Sequence, residues 1–348
     1  MRLLFVSSAV VAVALAGSTL AGDPPAPAAI ILLPGPAGPI AFTPDGTKLV
    51  TCGADRPSAS GAYELRVWDA ATGKPLAGPL TGRGVGLALA VSPDGTRALT
   101  GGFDGFARLW DLGSGKSVAE LQCYTPTDPT RVGGARVERV AFAPSGTAAV
   151  TVEWQEKAGL ARFWDPATGK SAGEPQARSS RTAPLRFTPE GKLVPEEKAE
   201  PLPHPDRLLQ VLSEDGKLAI TGGADGRAVL WDSAARKAVG EPLVTPAGRN
   251  PPWVVAAAFS PDGKRVAVGT LHYPTGAAAV GVLDRETRAA VAGPLAVGAA
   301  RGQGKEGGVR EVAFAPNGKT LAVVVTRRGP GQQTQVSEVQ LWGIPAQK

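Results

Sequence analysis

The stretch Ser213–Asp232, SEDGKLAITGGADGRAVLWD, reads as three short strands joined by two tight turns. Asp215-Gly216 falls where the first turn is needed, since glycine reaches positive φ without steric cost. Leu218, Ile220 and Thr221 follow in the pattern of a half-buried strand. Asp225-Gly226 supplies the second turn, a strong hairpin signal between such runs. Ala228, Leu230 and Trp231 form the third strand, closed by Asp232.

The unit recurs along the chain. Similar endings stand at Trp68-Asp69, Trp110-Asp111, Trp164-Asp165, Leu283-Asp284 and Trp342-Gly343. Each follows an apolar run and a glycine turn: Pro44-Asp45-Gly46, Pro93-Asp94-Gly95, Pro144-Ser145-Gly146, Pro261-Asp262-Gly263 and Pro316-Asn317-Gly318. A period of roughly 40 residues with a terminal Trp-Asp is the sign of a propeller array. On these residues the chain resembles the WD40-repeat (WD40/YVTN-like) β-propeller family, over about residues 28–343. With the leader described below, it looks like an exported bacterial type. The resemblance implies an all-β propeller and says little of function, because one fold hosts many functions.

Charged residues are 20% and hydrophobic residues 43% of the 348, a balance that supports a packed core rather than disorder. The 45 glycines and 32 prolines fit a chain of many turns. A net charge of +6 favours acidic partners weakly. Met1-Arg2 and the apolar run Leu3 to Leu15 read as a secretory signal, with small-residue cleavage sites after Ala16 or Ala21. Residues 1–21 are thus the expected signal peptide, 22–28 a Pro/Ala linker and 29–348 a single propeller domain. A retained membrane anchor is the other reading of the leader. Cys52 and Cys123 read as small buried hydrophobes rather than a disulfide.

Residues 29–33, AIILL, form an orphan strand before the first repeat, while the chain stops soon after Trp342 without a fourth strand for its last blade. In WD40 propellers the N-terminal strand completes the last blade, and 29–33 is expected to do so here. The longest interval, 67 positions, separates Asp165 from Asp232. Within it Leu185 to Leu193 imitates the start of a blade, but Pro195, Pro201, Pro203 and Pro205 lack the N–H a central strand needs. Residues 176–207 are read as a degenerate seventh blade, or else as an insertion on six blades.

Connection lengths divide the molecule. The first-to-second strand turns and the turns after Trp-Asp are short. The others vary: 54–63, 124–136, 153–160, 245–253, 271–278, 298–309 and 326–336. In a propeller these variable connections share one face, where binding tends to reside. Arg131, Arg136, Trp154, Arg249, Trp253, Tyr273, Arg301, Arg327 and Arg328 are the candidate partner contacts, because Arg, Trp and Tyr dominate interaction hot spots. Neighbouring Asp55, Asp128, Glu153, Glu156 and Glu306 dilute the charge, and a plain solvated rim is the alternative.

His204, Thr221 and Asp225 could be an activated nucleophile. With Trp231 they match instead the structural hydrogen-bond network that the resembled family builds between blade strands. The sets Thr51/Asp55/Trp68 and Thr100/Asp104/Trp110 lack the histidine and are expected to be weaker by about 1 kcal/mol per missing bond. His272 is the only other histidine, too few for a zinc site by spacing. No calcium loop, phosphate loop or nucleophile elbow appears, so no catalytic, metal or cofactor-binding residue is assigned. The expected function is an exported, monomeric, non-enzymatic scaffold holding a protein or peptide, acidic partners included. Nucleic acid is not expected, nor a membrane span after signal cleavage. A quinoprotein- or lyase-like propeller enzyme and a passive module of a cell-envelope assembly are the alternatives.

Overall fold

A computed structural model describes residues 26–345 except 34, 55–61, 84–85, 124–135, 156–157, 179–184, 186, 189–191, 194–201, 205, 214, 246–250, 273–276, 299–306 and 329–334. The opening strand β1 (Ala29–Leu33) stands apart from the first repeat. Blade 1 contains β2 (Ala37–Phe42), β3 (Lys48–Ala54), β4 (Ala62–Asp69) and β5 (Pro75–Arg83). Blade 2 contains β6 (Gly86–Val91), β7 (Arg97–Gly102), β8 (Phe106–Asp111) and β9 (Lys116–Gln122). Blade 3 contains β10 (Arg136–Phe142), β11 (Ala149–Gln155), β12 (Ala158–Trp164) and β13 (Gln176–Arg178). Blade 4 contains β14 (Arg207–Leu212), β15 (Leu218–Gly223), β16 (Ala228–Asp232) and β17 (Lys237–Ala238). Blade 5 contains β18 (Trp253–Phe259), β19 (Arg265–His272), β20 (Ala277–Asp284) and β21 (Ala290–Gly298). Blade 6 contains β22 (Gly307–Phe314), β23 (Thr320–Arg328) and β24 (Gln335–Gly343).

Every sheet is antiparallel, and the sixth takes its outer strand from the other end of the chain. There β1 pairs with β24, from Ala29 opposite Leu341 to Leu33 opposite Ser337. Period-2 alternation explains the fit: Ala29, Ile31 and Leu33 point inward and Leu32 outward.

Consecutive blades bury their faces against each other. Val50, Leu65 and Val67 of blade 1 meet Ala98 and Trp110 of blade 2. Leu99, Leu109 and Leu121 then meet Val137, Phe142 and Trp164 of blade 3. Ile220 and Leu230 of blade 4 meet Val254, Val266 and Val268 of blade 5. Blade 6 packs on blade 5 through Val312, Phe314 and Trp342, and on blade 1 through Val339, Leu341 and Ile31 against Leu49 and Trp68.

The expected seventh blade is corrected to six. Of residues 176–207, Gln176–Arg178 is the outer strand of blade 3, paired with Gly159 to Ala161. Beyond it the described residues form only one bridge, Phe187 opposite Leu193, before β14. The insertion has nevertheless a structural task. Leu193, with Leu185 and Phe187, covers Val150, Val152, Trp154 and Ala161. It therefore lies on the side of blade 3 that corresponds to the side blade 2 turns to blade 3.

Candidate binding faces and channel

Antiparallel order sorts the connections onto two faces. One face carries the β2–β3 and β4–β5 turns and their equivalents. These turns are locked by their own side chains. Thr43 Oγ1 donates to Asp45 at 2.5 Å, and the Thr47 N–H donates to the same carboxylate at 3.0 Å. Ser92 with Asp94, Ser213 with Asp215 and Ser260 with Asp262 repeat the device. The hydroxyls of Thr43, Ser92 and Ser213, followed by backbone N–H groups, hold Asp45, Asp94 and Asp215 below the usual carboxylate range. These aspartates therefore serve as turn clasps.

The opposite face carries the β3–β4 type turns and the links between blades. Of the expected partner contacts, Arg131, Arg249, Tyr273 and Arg301 lie outside the described residues, as do the side chains of Arg327 and Arg328 at the end of β23. Arg136 opens β10 and is exposed, its guanidinium 4.4 Å from the centroid of Phe103. Phe103 sits in the β7–β8 turn and is itself exposed. Sequence reading did not single it out, since nothing local in Phe103 announces a stacking partner from another blade. Trp253 opens β18, half-buried, opposite Leu271.

Trp154 is a correction. It is 3% exposed, inside β11, and belongs to the core under the insertion. A Cβ at Gly159 would stand 2.7 Å from its ring, so the glycine of β12 makes room for the indole. Such a side chain cannot be an exposed anchor.

The four residues His204, Thr221, Asp225 and Trp231 come together. Thr221 Oγ1 accepts from Trp231 Nε1 at 2.7 Å and lies 2.5 Å from His204 Nδ1. His204 Nε2 is 3.2 Å from Asp225 Oδ1. Thr221 is fully buried against a tryptophan, so its hydroxyl is a bracket between strands rather than a presented nucleophile. Trp68 with Thr51, Trp110 with Thr100 and Trp164 with Thr151 repeat the indole bond, each at 2.9 Å. Of the two histidine-free sets expected to be weaker, that of Thr100 gains a further partner, and the Thr151 bracket gains one as well. Tyr63 of blade 1 reaches Thr100 at 2.6 Å, and the Cys123 thiol lies 3.4 Å from Thr151. Arg108, beside Tyr63, pairs with Asp104 at 2.7 Å and Glu120 at 2.8 Å.

Residues of the inner strands β2, β14, β18 and β22 line an open central cavity of about 890 Å³. It reaches Pro44, Pro261 and Pro316, hence the short-turn face. Phe42, Val211, Val255, Ala257, Phe259 and Ala313 make its wall largely apolar. Glu311 is an exception, and burial pushes its carboxyl up to about 7. One of its oxygens accepts from the Ile40 N–H at 3.2 Å, bridging blade 6 to blade 1. Among the described residues no group of three or more His, Cys, Asp or Glu could hold a metal ion. No described helix is long and apolar enough to cross a membrane.

Six four-stranded sheets, indole–threonine brackets and a central cavity define a β-propeller of six blades. Two stretches, 76–111 and 204–232, match the family described as WD domain, G-beta repeat. The chain is also similar to the SAGA complex subunit Spt8 of Schizosaccharomyces pombe, 22% identical over 193 residues. That match covers 52% of this chain and 34% of the relative, so the chain spans about a third of that protein's length.

Proposed function

We propose that this protein is an exported, non-enzymatic scaffold that holds a protein or peptide partner on the face of its variable connections. The observation that carries the reading is the contrast between the faces. One is built of short turns clasped by their own aspartates. The other presents connections of very different length and the exposed Arg136–Phe103 stack. An arginine over an aromatic ring is rigid, partly desolvated contact area. A relative named as a subunit of a complex supports a partner-holding role. The basic residues of that face fit an acidic partner, and attraction between exposed charges is screened within about 8–10 Å at physiological salt.

The test is affinity capture from the exported fraction with the full chain and two double variants. Substituting Arg131 and Trp253 by alanine is expected to weaken capture by more than about 1 kcal/mol per residue. Substituting Lys74 and Lys170, beside short turns, should leave it unchanged. Sensitivity at the lysines with indifference at Arg131 and Trp253 refutes the proposed face. Export is tested separately by sequencing the native N-terminus. A start after Ala16 or Ala21 is expected, and an intact Met1 on a cytosolic protein contradicts it.

A further inference from the structure

The cavity on the axis is a second place where this molecule could hold something. At about 890 Å³ it lies in the size range of preformed small-molecule sites, which are mostly apolar with a few placed polar groups. Its rim includes proline turns that their own hydrogen bonds hold fixed, such as Pro44 between Thr43 and Asp45. A ready-made, rigid opening suits a small ligand better than a polypeptide that must be accommodated by moving loops.

Arg310 and Glu311 are the ionisable side chains on the described wall. They do not pair with each other. Arg310 Nε donates to Thr326 Oγ1 at 3.3 Å, back toward β23. Glu311 Oε2 accepts from Ile40 N–H, which leaves Oε1 as an acceptor without a cation among the described residues. A carboxylate in an apolar wall is costly unless a positive charge or donors compensate it. A purely structural bridge from Glu311 to Ile40 would be served as well by glutamine, which keeps the acceptor and carries no charge.

We infer that the axial cavity binds a small hydrophobic amine, its apolar body against Phe42, Phe259 and Val255 and its ammonium on Glu311. The ion pair would form in partly desolvated surroundings, where charge-assisted hydrogen bonds are roughly twice as strong as neutral ones.

The test uses the full chain at pH 8 and three probes of one shape: 3-phenylpropylamine, 3-phenylpropanol and 3-phenylpropanoate. Calorimetric titration should show saturable amine binding, at least ~10-fold tighter than the alcohol, as a hydrogen bond to a charged group predicts. Glu311→Gln should bring amine and alcohol to the same affinity. Ala257→Trp, which fills the cavity and keeps Glu311, should abolish binding of both and guards against misfolding of the first variant. Absence of amine binding, equal affinity for amine and alcohol, preference for the carboxylate, or amine binding that survives Ala257→Trp each overturns the inference. None of these outcomes touches the partner face, which is read by capture with the Arg131 and Trp253 variants.

Discussion

Removing residues 26–33 is expected to lower the unfolding midpoint sharply or to prevent folding. The segment contributes Ala29, Ile31 and Leu33, all nearly inaccessible, to a cluster with Leu49, Trp68, Val339 and Leu341. That cluster joins blade 6 to blade 1, so its loss opens the ring and strips a pairing partner from all of Ser337 to Leu341. Truncating one buried large aliphatic residue costs about 2–5 kcal/mol. Losing two, with an alanine and a strand's hydrogen bonds, approaches the 5–15 kcal/mol that holds a whole domain folded. Ile31→Ala alone should cost about 2–5 kcal/mol in chemical denaturation. An unchanged midpoint in the truncated protein would show that the strand is dispensable.

Thr221→Val should destabilise by about 2–5 kcal/mol, more than a surface change of the same size. The substitution keeps the shape and removes one oxygen. It strands the Trp231 indole N–H and a His204 ring nitrogen, both buried, and each stranded group costs about 1–3 kcal/mol. Thr100→Val should behave alike, because Trp110 and Tyr63 converge on Thr100. Urea unfolding measures both. A loss below about 0.5 kcal/mol in either would mean that the brackets are geometric coincidences rather than supports.

The repeat was legible because its signals are local. A Pro-x-Gly turn and a Trp-Asp ending fall within a few residues of each other, and β15 and β16 lie where Ser213–Asp232 places them. Pairing of 29–33 with the strand before Gly343 could be read because an unpaired strand and a missing one are complementary absences. The blade count could not. Leu185 to Leu193 has the local pattern of a blade start, while completing a blade depends on three further strands that the proline-rich continuation cannot supply. Trp154 was misplaced for a related reason. The residues around it looked like a loop, yet β11 runs to Gln155 and carries the indole into the core. Tyr63 and Cys123 stand far in sequence from the threonines they reach, so their part in the brackets arises only when blades are brought together.

The proposed partner face rests on a contrast in kind: one face is built of short turns held by their own side chains, the other of variable connections. Hydrogen–deuterium exchange of the protein with and without its captured partner tests this most directly. Protection is predicted at 124–135, 246–253 and 299–306 and around Phe103 and Arg136, with the Pro-x-Gly turns at 44–46, 93–95 and 261–263 unchanged. Protection confined to those short turns, with the variable connections exchanging as in the free protein, would contradict the account.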